Sequence, residues 1–219
     1  MRLGKIFVLL AILGSCLLPA RADEREKVLK RLDEAAKGFQ TVSLTVEFDT
    51  IQTAPIYDKD VMSGVAYYER QGGRFQMAAH LNTHNNRPTG KTFVMSGGKF
   101  RLSESGKESD AKTYDQASKY ESYLILGFGA SGKELAEKWE IKYLGTEKID
   151  GVVTDKLELI AKDPQVRKTV PKVTIWIDTA RAVSLKQIFD EGDGMTRECH
   201  YSNIKVNQPL PKSAFSFDK

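Results

Sequence analysis

Hydrophobic and polar positions alternate most strictly from Thr41 to Asp49. Val42, Leu44, Val46 and Phe48 fall on one face, and Ser43, Thr45, Glu47 and Asp49 on the other. A period of two puts successive side chains on opposite faces of a strand, so this stretch predicts a half-buried strand. The same period returns from Leu144 to Phe189. Leu157, Leu159 and Ala161 alternate with Lys156, Glu158 and Ile160. Val173, Ile175 and Ile177 then face one way, with Thr174, Trp176 and Asp178 facing the other, and Val183, Leu185 and Phe189 follow after a short turn. Asp150-Gly151 is a two-residue hairpin signal, because both central positions of that turn need positive φ. Consecutive strands joined by short connections give an antiparallel meander.

Further strands extend it. Val61 to Arg70 leads through Gly72-Gly73 to an apolar face of Phe75, Met77, Ala79 and Leu81. Asn82 to Gly90 is polar and predicts a loop. Thr92 to Met95 and Lys99 to Ser103 pair about Gly97-Gly98, and Trp139, Ile141 and Tyr143 alternate again. Met195 to Val206 follows a turn at Glu191 to Gly194, and Ala214-Phe215-Ser216-Phe217 reads as a final edge segment.

The period changes to that of a helix in two places. From Glu26 to Phe39, the residues Val28, Leu29, Leu32, Ala35, Ala36 and Phe39 follow a spacing of three and four. Tyr114 to Leu126 carries Ala117, Tyr120 and Leu124 at helical spacing and predicts a short helix, ended by Gly127-Phe128-Gly129. Ser131 with Glu134 three residues on is a capping box that opens a second short helix, Gly132 to Lys138. The fold class is therefore mainly β with a helical lid (α+β). A long antiparallel sheet, of roughly ten strands, tends to curl, and one apolar face becomes concave. The helices are then available to cover that concavity, either over solid packing or over an apolar cavity.

Composition changes this picture little, except at the N-terminus. Arg2 and Lys5 precede the apolar run Ile6 to Leu13, and Ala20-Arg21-Ala22 is a small-x-small site. Residues 1–22 read as a secretory signal peptide, too short for a spanning helix, with residues 23–219 as one domain. Leu13-Gly14-Ser15-Cys16 offers a second processing site, at which Cys16 would be lipidated and tether the protein to the outer membrane. Continued apolar residues past Cys16 favour cleavage after Ala22 and delivery to the periplasm. The formal charge of +4 falls to +1 without the leader, leaving 30 Lys and Arg against 29 Asp and Glu. The basic residues are scattered, so no nucleic-acid footprint is expected.

Candidate chemistry is sparse. His80 and His84 stand four apart on a strand running into a loop, a spacing that converges only on a helix, so no metal site is expected. Gly127 to Gly132 has glycines in dinucleotide-binding register but follows a helix, with no βαβ unit around it. No nucleophile and base can be paired. The sequence predicts a non-enzyme with no cofactor. Cys199, left alone if Cys16 is removed, reads as a small core residue.

The order of elements resembles the periplasmic outer-membrane lipoprotein carriers, the LolA/LolB-like proteins. The resemblance lies in Gly127-Phe128-Gly129 followed by Leu135, in Trp139 to Leu144, and in Lys148-Ile149-Asp150-Gly151 before Leu157-Glu158-Leu159. It continues in Val173 to Asp178 and in Asn207 with Ala214 to Phe217. It implies an incomplete β-barrel covered by helices, around an apolar cavity for the acyl chains of lipoproteins or lipids. It also implies a monomer served by an inner-membrane releasing transporter and an outer-membrane acceptor. On this reading the cavity is lined by Phe39, Leu44, Val46, Phe48, Phe75, Met77, Phe93, Met95, Tyr120, Leu124, Phe128, Trp139, Ile141, Leu157, Leu159 and Trp176. Many of these positions serve equally well as plain core. The family's lid-holding Arg falls on Arg70, in Tyr67-Tyr68-Glu69-Arg70. Two departures, Gln71-Gly72-Gly73 where the carriers have Pro and the reduced aromatic content of Gly98 to Leu102, imply a paralogue of the housekeeping carrier. The alternative function is a lipid-anchored acceptor, or an envelope-assembly or signalling module whose cavity its own side chains fill.

Overall fold

The computed structural model describes residues 17–71, 74–114 and 126–217. The strict alternation of the first strand is observed as β1 (Thr41–Gln52), which lies in the middle of one continuous sheet. Chain order gives β2 (Asp58–Gln71), β3 (Arg74–His84), β4 (Arg87–Pro88), β5 (Thr92–Ser96), β6 (Lys99–Ser103) and β7 (Lys112–Tyr114). The second half adds β8 (Trp139–Ile149), β9 (Val152–Ala161), β10 (Lys172–Asp178), β11 (Val183–Gly192) and β12 (Met195–Val206). The spatial order is β7-β6-β5-β3-β2-β1-β12-β11-β10-β9-β8, with β4 paired to β3, and the named pairs are antiparallel. β1 joins the two halves, since Val46 stands opposite Gly64 on β2 and Tyr201 on β12. β7 and β8 end the order unpaired with one another, so the barrel is incomplete.

Turn chemistry sets the register. Asp150 and Gly151 both have positive φ, at 49° and 80°, as the two-residue turn between β8 and β9 requires. The stretch expected to be a loop, Asn82 to Gly90, is instead a tight hairpin of β3 with β4. Asn85 and Asn86 take φ of 48° and 62°, a region that Asn tolerates better than other non-glycine residues. Asp163-Pro164 starts a short helix. The Asp163 carboxylate accepts from the Gln165 N–H at 2.7 Å, and Pro164 supplies a fixed φ at the first turn.

Three helices are described. α1 (Leu17–Lys37) lies against α2 (Gly132–Lys138) and β8, burying Val28 and Leu32 completely; α3 (Pro164–Thr169) sits beside β9. α2 opens with the predicted capping box, in which Ser131 Oγ accepts from the Glu134 N–H and Glu134 accepts from the Ser131 N–H. The helices approach closely because position 132 is glycine: a Cβ there would lie 2.1 Å from the Leu29 carbonyl oxygen. An ion pair completes the seating of α1, with Arg31 Nη2 donating to the buried Asp155 carboxylate at 2.8 Å.

The main core lies on the concave face, where Val42, Leu44, Val46, Leu157, Leu159, Val173, Ile175 and Leu185 meet Phe39 and Leu135. The other face has a smaller cluster of Ala78, Val94 and Phe217. It explains the C-terminal segment, Ala214 to Phe217, which is held as a turn. His80 Nε2 donates to the Ala214 carbonyl at 2.9 Å, and the Arg101 guanidinium lies 4.8 Å from the centre of the Phe217 ring. Two apolar side chains and one buried histidine hold the chain end there without a strand ladder.

Candidate functional site

Along β1 the concave face changes character. Val42 and Val46 are fully buried and Leu44 nearly so, whereas Phe48 and Thr50 are only half-buried. Register carries that change to the neighbours, since Phe48 faces Met62 on β2 and Cys199 on β12, and Thr50 faces Arg197. These residues open onto a cavity of about 260 Å³. Met77 and Leu81 of β3, Phe93 of β5, and Phe100 and Leu102 of β6 form one wall. Gln187 and Phe189 of β11 stand on the other side with Arg197, Cys199 and Tyr201 of β12; Tyr68 and Lys91 complete the lining. Phe93 touches both Phe48 and Phe100, with ring centres 6.4 and 5.8 Å apart, so the wall is a run of aromatic rings.

One end of the concave space is closed by Phe128. Its ring stacks on Tyr68 at 4.1 Å and meets Tyr201 edge-on at 5.0 Å. The segment carrying it is stitched to β11. The Gly129 N–H donates to the Ala182 carbonyl, the Ser184 N–H to the Gly127 carbonyl, and Gln187 Nε2 to the Leu126 carbonyl at 2.6 Å. Gly129 has a φ of +67°, and a Cβ there would strike the Phe39 ring at 2.3 Å. The glycines around Phe128 are thus demanded by backbone sign and close packing, not by a phosphate. Gln187 also accepts from the Tyr201 hydroxyl at 2.9 Å, which satisfies both polar groups of the cavity wall. Burial pushes the Cys199 thiol up to about 12, as expected of a small, inert core residue.

Arg70 ends β2 beside α2. Its guanidinium donates to both Glu134 oxygens at 3.1 Å, so it holds the helix through the capping carboxylate. Burial works against the Glu134 charge, but the Ser131 N–H and Arg70 outweigh it, and the carboxyl is held below its ordinary value.

The predicted lining divides into four groups. Phe48, Met77 and Phe93 stand on the cavity. Phe39, Leu44, Val46, Phe75, Met95, Phe128, Trp139, Leu157 and Leu159 are buried in the core around it, and Ile141 packs on that core. Trp176 points to the opposite face of the sheet from Ile175 and Ile177 and is removed from the cavity. There its Nε1 donates to Glu147 at 2.8 Å, with Lys156 Nζ 4.6 Å from the ring centre, which keeps an outward-facing Trp covered. Tyr120, Leu124 and Cys16 lie outside the described residues. Sequence reasoning passed over Tyr68, Phe100, Phe189, Arg197 and Tyr201. The alternation of Phe189 and Gln187, and of Arg197, Cys199 and Tyr201, carried the signal. Among the described residues no three His, Cys, Asp or Glu side chains stand together as a metal site needs, and no helix is long and apolar enough to cross a membrane.

The result is an open antiparallel sheet around an apolar core, with helices laid over it. No family model and no curated protein matches the sequence. Solved structures do. MucB superposes with a TM-score of 0.54 at 12% identity, over 90% of this chain and 63% of MucB. This chain thus spans less than two thirds of that protein. An uncharacterized conserved protein from Thermus thermophilus gives a TM-score of 0.52 at 10% identity, over 88% of this chain and 92% of the other. A LolA superfamily protein from Nitrosomonas europaea matches 88% of this chain and 97% of its own, at 14% identity and a TM-score of 0.44. For MucB and the Thermus thermophilus protein the likeness at these identities is one of fold.

Proposed function

We propose that the protein is a non-enzymatic carrier of the bacterial envelope that holds an acyl chain of a lipid or lipoprotein and passes it on. The observation that carries this is the apolar cavity of about 260 Å³ walled by Phe48, Met77, Phe93 and Phe100. Its volume is just below the ~300 Å³ at which small-molecule pockets commonly begin, which fits one chain and not a whole lipid. Each buried CH₂ contributes about 0.8 kcal/mol, so a single chain is held firmly yet reversibly. Loading and release need no covalent step, only a second site of better fit or a shift of the covering helices. The sequence resemblance to the LolA/LolB-like carriers and the signal-like leader support an envelope location, with the periplasm as the compartment and an inner-membrane donor and outer-membrane acceptor as partners.

A second reading, an assembly or signalling module filled by its own side chains, draws on one observation: Phe128 already occupies part of the concave space. Mass spectrometry of the lipids that co-purify with the protein from the envelope separates the two. The carrier reading expects a restricted set of acyl-containing species in stoichiometric amount. Protein that emerges free of lipid, and takes none up from an envelope extract, supports the filled module.

A further inference from the structure

The cavity lining is charged in one sense only. Of its fifteen residues two are ionic, Lys91 and Arg197, and none is acidic. Both stand toward one end. Arg197 faces Thr50 across the β1–β12 ladder, near the β1–β2 turn. Lys91 lies just before β5, where its carbonyl accepts from the Leu81 N–H. The other end is apolar, with Tyr68, Met77 and Phe100 linked through cross-strand pairs. Among the other polar side chains of the wall, Gln187 and Tyr201 are engaged with each other and with Leu126. We infer that the carried molecule is an anionic amphiphile with one chain, whose acyl part lies along Tyr68, Met77, Phe93 and Phe100 and whose carboxylate or phosphate sits between Lys91 and Arg197. This rests on the carrier reading and narrows its cargo.

Each cation already has a carboxylate partner, and those partners lie outside the lining. Lys91 Nζ is 3.3 Å from Glu104, which is 69% exposed, and Arg197 Nη2 is 2.9 Å from Glu191. The pairs hold the two cations at the rim, where an incoming anionic head can exchange for a carboxylate. An anion between them gains charge-assisted hydrogen bonds beside a low-dielectric wall, whereas an uncharged head of the same size gains much less. A zwitterionic or cationic head would place positive charge against two fixed cations, so the rim also discriminates.

The test compares cis-parinaric acid with its methyl ester, two fluorescent probes sharing one chain, on wild type and on Lys91→Gln and Arg197→Gln. A third probe, a lysophosphatidic acid, competes against the first to tell carboxylate from phosphate. The acid is expected to bind wild type about tenfold or more tighter than the ester. Each variant should lose most of that preference while holding the ester as well as wild type does. Retained ester binding also shows that the variant is folded. Equal affinity for acid and ester in wild type, or an unchanged ratio in both variants, overturns the anionic assignment and leaves the carrier reading standing. Binding of none of the three probes overturns the carrier reading itself.

Discussion

Arg70 and Glu134 make the only described link between the end of β2 and the cap of α2 that involves opposite charges. Both side chains are partly exposed, so the pair is expected to contribute little to global stability, about 0–1 kcal/mol. Its effect should instead fall on the seating of the helix. Arg70→Leu is expected to leave thermal unfolding nearly unchanged while altering the rate at which a fluorescent fatty acid is loaded and released, measured by stopped-flow; unchanged rates would make Arg70 a plain surface residue. The pair also has a pH signature. Glu134 is held below its ordinary value of 4.5, so the folded state favours its charged form. That contribution is complete above the unfolded-state value and is lost as pH falls through the lower folded-state value. Thermal unfolding followed from neutral pH downward should therefore show wild type losing stability below about 4.5 more steeply than Glu134→Gln. Parallel curves would show that the carboxylate contributes nothing.

The segment Leu126 to Ser131 is the element that decides how much of the concave face stays open. Phe128 is held there by main-chain bonds to Ala182 and Ser184 and by its ring contacts with Tyr68 and Tyr201. Phe128→Ala should cost about 3–5 kcal/mol, the range for a fully packed Phe. Denaturant unfolding checks this, and a cost below about 1 kcal/mol would mean the ring is not part of the core. The same element shows where sequence reasoning reached its end. A period of two told which face of β1, β3, β9 and β10 is apolar, and those faces are the core. It could not tell packed wall from open wall, because that depends on a side chain arriving from a distant loop. Val46 and Phe48 are two residues apart on one face, yet the first is fully buried and the second borders the cavity. Trp176 shows the converse, since the family resemblance implied a place in the lining while its phase along β10, opposite to Ile175, assigns it to the outer face. Arg197 and Tyr201 share the phase of Cys199 and could have been read from it. The β3–β4 hairpin and α3 are too short for hydrophobic periodicity to show, although Asn-Asn favours a specific turn and Asp-Pro a helix start.

The open sheet uses most of its concave face as core and leaves a cavity of about 260 Å³ beside it. The buried half runs from Val42 to Val46 and across β9 and β10, and the aromatic wall around Phe48, Phe93 and Phe100 borders the cavity. Met77 sits where the two meet, buried but facing the cavity. In a filled interior, Met77→Trp would force side chains off their rotamers and cost about 1–3 kcal/mol. In a container it would occupy the space a ligand needs and leave the fold intact. The decisive measurement is a titration of wild type and Met77→Trp with a fluorescent fatty acid, read together with the melting temperature of each. The account predicts saturable one-to-one binding to wild type and loss of binding in Met77→Trp at a nearly unchanged melting temperature. A wild type that binds no apolar probe, together with a Met77→Trp variant that unfolds, would contradict it.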